Sequence, residues 1–363
     1  MRKTYQHKKN RLQKRIARNH ARKQERMRIR FKQNRKRRNK LLQGKNKEQR
    51  NLYRLQERFK DFKKVKAPIN FSLTENTDES LIFISKIESC LSAKKKVFVN
   101  LSNVEDIAHG AIVVLLSIMM KFKSLHIDFN GNFPKNKKAN KKLVDSGFFQ
   151  ELYKNNVHFD TTYSLCRNKI LTHANKVVDT KLSDSIVSEI STLIWGNKKR
   201  CTGVQRVFIE LMQNTNNHAS LLNNGEHHWW TTVEYSVQEK KAYFSFIDYG
   251  VGIIESLNND TRGKFYNWIP KIKKAFSLSN NSEMLMLLMK GEMHKTSTGK
   301  YYRGKGLPCL FKACEDNKIS NVVVISNDAK VDYKTQSSVK LKHSFKGTFV
   351  YWELNASNVN LNY

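Results

Sequence analysis

Glu210, Asn214 and Asn217 recur at intervals of four and three within residues 203–220, where Val204, Val207, Phe208, Leu211 and Met212 repeat with helical period. On a helix they form a polar stripe flanking the apolar one, with His218 at the border. A carboxylate one turn from a carboxamide can do two adjacent jobs. The first activates a water as general base, and the second offers an oxygen to magnesium. A Glu and an Asn four apart also occur on ordinary helix surfaces, so the pair needs company before it implies chemistry.

Asp248 supplies the next piece. Ala242, Phe244, Phe246 and Asp248 share one face of an alternating stretch, which sets a carboxylate at the end of an apolar row, where it needs a donor. Gly250 and Gly252 follow and allow close backbone approach to a ligand, although they equally suit a strand ending in a tight turn. Further on, Arg303-Gly304-Lys305-Gly306-Leu307 opens onto an apolar helix (Leu307, Leu310, Phe311, Ala313). A glycine turn at a helix N-terminus is a natural anion site, and Lys305 adds charge. The dinucleotide spacing GxGxxG is absent. Lys295, Lys300 and Arg303 are cations near this turn, of which Arg303 is assigned to a phosphate. Gly347-Thr348-Phe349 begins the last strand, 347–354.

These residues need a scaffold. Ile186, Val187, Ile190, Leu193 and Ile194 form one apolar stripe on a preceding helix, and strands are expected over 228–238 and 242–248. His227 and His228 beside Trp229 and Trp230 do not make a chelating pair, because neighbours on a strand point to opposite faces. Upstream of a connector at 161–180, strands at 69–73, 97–101 and 125–130 alternate with helices at 78–92, 110–122 and 139–146, the pattern of an α/β layer.

Two family resemblances follow. ELMQNTNNHA at 210–219, DYGVGI at 248–253, RGKGL at 303–307 and GTF at 347–349 stand in the order and spacing of the motifs of the GHKL ATPases, the gyrase, chaperone, histidine-kinase and MutL superfamily. The match covers about residues 180–356. It implies a sandwich in which ATP lies between a helical layer and a mixed sheet, under a mobile lid at about 255–302. By resemblance, Glu210 is the general base, Asn214 the Mg2+ ligand and Asp248 the acceptor for the adenine amino group. Gly250 and Gly252 shape the adenine pocket, Gly304, Lys305, Gly306 and Leu307 bind phosphates, and Thr348 supports Asp248. The phrases VFVNLSNVEDIAHGAIVVLL and FNGNFPKNKKANKKLVDSGF resemble STAS domains over about 67–160. Signalling members carry an Asp-Ser-Ser-Gly run with a phosphorylated serine. Here that stretch reads Ile107-Ala108-His109-Gly110-Ala111, with no hydroxyl, so His109 marks a lost phosphorylation site and the domain is read as an interaction or dimerisation module.

Composition frames the rest. The 363 residues carry a formal net charge of +36. Residues 1–66 hold 28 Lys and Arg against four acids, with too few apolar residues for a core. They read as a basic arm, partly helical or disordered, suited to a polyanion: above all nucleic acid (RNA or DNA), because neutralised phosphates release counterions, with an acidic protein surface or anionic lipid as the alternatives. The longest apolar run, 111–120, is about half the roughly 20 residues that span a bilayer, and no signal-like stretch follows the basic start. A cytoplasmic protein without membrane contact is expected. The five cysteines show neither a CxxC pair nor zinc-ligand spacing.

The expected fold class is α+β, with two α/β sandwich domains (67–165 STAS-like, 180–356 GHKL-type) behind the 1–66 arm. The expected function is an ATPase switch using ATP and Mg2+, with nucleic acid on the arm and a protein partner or second copy on the STAS-like domain, in a bacterial signalling or defence setting. Alternatives are a protein kinase of the anti-sigma-factor or histidine-kinase type, and a non-hydrolysing nucleotide-binding module.

Overall fold

The computed structural model describes residues 2–44, 49, 57–153, 170–175, 178–218, 229–258, 278–292, 306–359 and 361–362. The chain divides into two compact units, Met1–Asp61 and Phe62–Tyr363. The first is dominated by one long helix, α1 (Arg2–Leu42), whose residues 18–37 are exposed all round, including Met27, Ile29 and Phe31. Good helix formers without Gly or Pro explain its continuity.

The second unit is mixed α/β, with a parallel and an antiparallel sheet. It begins with β1 (Lys63–Lys66), β2 (Asn70–Phe71), α2 (Thr77–Ser92), β3 (Val97–Asn100), β4 (Asp106–Ile107), α3 (His109–Ser124), β5 (Phe129–Asn132), α4 (Lys137–Asp145) and α5 (Phe148–Tyr153). Strands β1, β3 and β5 pair in parallel, as do β2 and β4. The folded unit therefore starts inside the stretch the sequence assigns to the arm. Strand β1 reads KKVK and buries only Val65, so its lysines hide an edge strand. The strand expected at 125–130 begins instead at Phe129, after a left-handed His126.

The chain continues through β6 (Ile170–Asn175), α6 (Thr180–Trp195), β7 (Lys199–Arg200), α7 (Thr202–His218), β8 (Trp229–Ser236), β9 (Lys241–Asp248), α8 (Ile253–Asn258), α9 (Asn281–Met289), α10 (Gly306–Glu315), β10 (Ser320–Asp332), β11 (Ser337–Asn355) and β12 (Leu361–Asn362). Strand β6 occupies part of the expected connector and adds an edge to β8. The resulting sheet runs β10-β11-β9-β8-β6, and every pairing among its described strands is antiparallel, where the resemblance implies a mixed sheet.

Each face of this sheet is covered. Trp229, Phe244, Phe246, Val324, Val350 and Trp352 pack against α6, α7, α9 and α10. Phe208 of α7 seats edge-on against Phe244 and Trp352, with ring centroids 5.8 and 5.1 Å away. The opposite face presents Ile247, Val323, Ile325, Phe345 and Phe349 to α2 and α3. Helix α3 is buried on nearly every side because it lies between two layers, and its uniformly apolar sequence follows from that position. Helix α9, the apolar run inside the expected lid, is a core element: Met284, Leu285, Met286, Leu288 and Met289 are all buried in the helical layer. The remainder of that segment, 259–277 and 293–305, lies outside the described residues.

Candidate functional site

The period of two along β9 sends Ala242, Phe244, Phe246 and Asp248 toward the helical layer and Ile247 to the other face. Strand β11 does the same with Thr348, Val350, Trp352 and Leu354. Thr348 and Asp248 are direct partners across the ladder, and the Thr348 hydroxyl donates to the Asp248 carboxyl group. The Gly250 amide donates to Asp248 Oδ1. Despite these donors, burial pushes the Asp248 carboxyl up to about 6. The residue as a whole is half-buried, at the end of its strand. An acidic group poised in this way accepts a hydrogen bond from an uncharged donor such as an amino group.

A bulge places Thr348 there. Ser326 pairs with Thr348 but Asn327 pairs with Phe345, so Lys346 and Gly347 are extruded from the ladder. Gly347 has φ +123°, and a Cβ on it would stand 1.9 Å from the Asp248 carbonyl oxygen. Only glycine fits. The sequence places the start of the last strand at this residue, whereas β11 starts ten residues earlier and Gly347 is a kink within it.

The turn after Asp248 is held from β10 by Ser326 and Asn327, which belong to none of the sequence motifs. Ser326 Oγ donates to the Gly347 carbonyl oxygen at 2.9 Å and accepts from the Ile253 amide at 2.8 Å. Asn327 Oδ1 accepts from the Ile254 amide at 3.1 Å, and its Nδ2 donates to the Val251 carbonyl oxygen at 2.9 Å. Asn327 so crowds Gly252 (φ +84°) that a Cβ there would sit 2.4 Å from Oδ1. The sequence signal was a polar pair interrupting the apolar run Val322-Val323-Val324-Ile325.

Glu210 and Asn214 form a second group. Both are half-buried on α7, one turn apart. The Arg206 guanidinium lies 4.0 Å from Glu210 Oε1, an exposed partner one turn earlier. Across the helical layer, burial and then the Glu210 charge push the Cys309 thiol of α10 up to about 12, so α10 packs beside Glu210. Gly306 begins α10 and Leu307 packs against the helical core. Arg303, Gly304 and Lys305 lie outside the described residues, as do Lys295, Lys300, His227 and His228. The side chains of Asn217 and His218 lie outside them too.

The structure thus brings Asp248, Gly250, Gly252 and Thr348 together at one end of the sheet and sets Glu210 beside α10, with Asn214 one turn further along α7. Among the described residues no recorded hydrogen bond or ion pair joins the two groups. Nor does any cluster of three His, Cys, Asp or Glu there offer a metal site by itself. An open depression of about 370 Å3 on α6, lined by Asp184, Ser188, Glu189 and Lys198, holds none of these residues. His109, read as the trace of a phosphorylation site, is buried with Nε2 3.1 Å from Glu234 Oε1 of β8. Trp229 stacks on Phe246 in the helical-layer core, while Trp230 packs toward the opposite face. No helix among the described residues is long and apolar enough to cross a membrane. No protein-family model matches this chain, and no curated protein matches it.

Proposed function

We propose that the region 180–356 is a GHKL-type ATP site and that the protein is a Mg2+-dependent ATPase acting as a nucleotide-operated switch. One observation carries this reading: a buried carboxyl, Asp248, is braced by Thr348 and the Gly250 amide at the end of an apolar strand, beside a turn that only glycine can make. Such a carboxyl suits the exocyclic amino group of adenine, and the Gly252 turn, packed against Asn327, holds the backbone beside it.

Glu210 is the general base toward water, with the Arg206 guanidinium one turn away as its partner. The Asn214 carboxamide oxygen is the protein's ligand to Mg2+, which supplies charge neutralisation at the phosphates when bound. The start of α10 at Gly306 and Leu307, with Arg303, Gly304 and Lys305 before it, receives the phosphates. Region 67–165 is a STAS-like module, and the opening arm binds nucleic acid. The continuous, exposed cationic helix α1 supports that last assignment. The module's protein partner or second copy and the bacterial signalling or defence setting stand as parts of the same proposal.

The test is incubation with Mg2+ and ATP labelled on the γ-phosphate, with and without RNA or DNA. Free phosphate that depends on Glu210 and responds to nucleic acid supports the ATPase switch. Label transferred to protein makes the chain a kinase, and label on neither leaves a binding module.

A further inference from the structure

Tyr249 follows Asp248 directly, yet its side chain leaves the site. It faces α3, away from the helical layer that Asp248 faces. Its hydroxyl bonds to Ser117 Oγ and lies 3.3 Å from the Val114 carbonyl oxygen, to which Ser117 Oγ also donates at 2.7 Å. Lys121 Nζ stands 3.9 Å from the ring centroid, and the Phe345 ring is 6.1 Å away. Burial raises the tyrosine's pKa, so the hydroxyl stays a neutral donor.

The helix that receives it is immobilised on the sheet. A Cβ on Gly110 would stand 2.8 Å from both the Phe349 ring and Ser245 Oγ, so α3 touches the sheet at its first turn. On the same face of the sheet, Lys330 Nζ ties the start of the neighbouring α2, donating to the Thr74 carbonyl oxygen at 2.6 Å and to Thr77 Oγ1 at 2.9 Å. Phe349, under Gly110, immediately follows Thr348. The brace and the acceptor of the site are therefore each one residue from an anchor in α3.

We propose that Tyr249 is a positioning residue for the nucleotide site, holding the Asp248 carboxyl and the Gly250 amide in place through its anchor on Ser117 and Val114. The inference rests on the ATP reading above and extends it: the N-terminal α/β layer sets how well the site reads the amino group of the base. A change in α3 reaches recognition from behind the sheet, without touching nucleotide.

The test is equilibrium binding of ATP and of inosine triphosphate, which carries an oxo group in place of the amino group, to the full chain and to its Tyr249→Phe and Ser117→Ala variants. The wild type is expected to prefer ATP by roughly tenfold. Each variant should lose about fivefold in ATP affinity and keep its inosine triphosphate affinity, with the melting temperature little changed. Packing alone would not move that ratio. An unchanged preference in either folded variant overturns the proposal, and Ser117→Ala decides alone if Tyr249→Phe does not fold. A wild type that binds no ATP, or both nucleotides equally, sinks the ATP reading and this inference with it.

Discussion

Asp248 and Thr348 face each other across the β9–β11 ladder, and the threonine hydroxyl donates to the carboxyl group from a strand that Gly347 has kinked toward it. The pair joins two strands, β9 and β11, and the bulge that places Thr348 lies where β11 meets a third, β10. Its expected role divides into measurable parts.

Asp248→Asn removes the carboxyl charge and turns one acceptor oxygen into an NH2 donor, leaving a single carbonyl acceptor, so ATP binding should fall about a hundredfold or more by calorimetric titration. Binding within threefold of the wild type would remove Asp248 from the site.

The same residue gives a signed pH dependence. Its carboxyl rises from 3.8 to about 6 on folding, so the folded chain holds this proton more tightly than the unfolded one. Stability contributed by the protonated form is present below about 4 and is lost as the pH rises through about 6, by at most about 3 kcal/mol. Thermal melts should therefore show Asp248→Asn more stable than the wild type at pH 7.5, with the gap closing by pH 4. ATP affinity should move the other way, rising with pH through about 6 as the acceptor ionises.

Gly347→Ala should destabilise the second unit by about 3 kcal/mol or more, since φ +123° is strained for alanine and the new Cβ meets backbone. A melting temperature within a degree or two of the wild type would show that the bulge can relax.

Glu210→Gln should leave ATP binding intact and lower turnover about a hundredfold or more, read as phosphate release under single-turnover conditions. Equal turnover in the variant would place the base elsewhere.

Truncation separates the arm from the fold. Deleting residues 2–61 should abolish salt-sensitive binding to RNA and DNA, whose affinity falls by about 0.7–0.9 log unit per phosphate contact for each tenfold rise in salt, and should leave the melting temperature unchanged. Deleting through Lys66 should in addition destabilise the fold, because β1 pairs with β3. Nucleic-acid affinity that survives the shorter deletion would discard the arm.

The sequence alone determined whatever depends on local periodicity. The apolar stripes of α6 and α7, the alternation of β9 and the seat of Asp248 at its end were all legible, because burial on one face imposes a period of 3.6 or 2. Where burial is not one-sided the pattern failed. Strand β1 exposes three lysines, β6 hides in an unpatterned connector, and α9 is apolar all round and so could be read as part of a lid as readily as a core helix. Only the tertiary structure decided that Ser326 and Asn327 hold the Gly252 turn, that Gly347 yields its Cβ to the Asp248 carbonyl, and that Tyr249 is rooted in α3. Each of these joins segments from about 70 to more than 130 residues apart in the chain. No local propensity encodes such pairings, because they arise from which faces of the sheet the two helical layers cover.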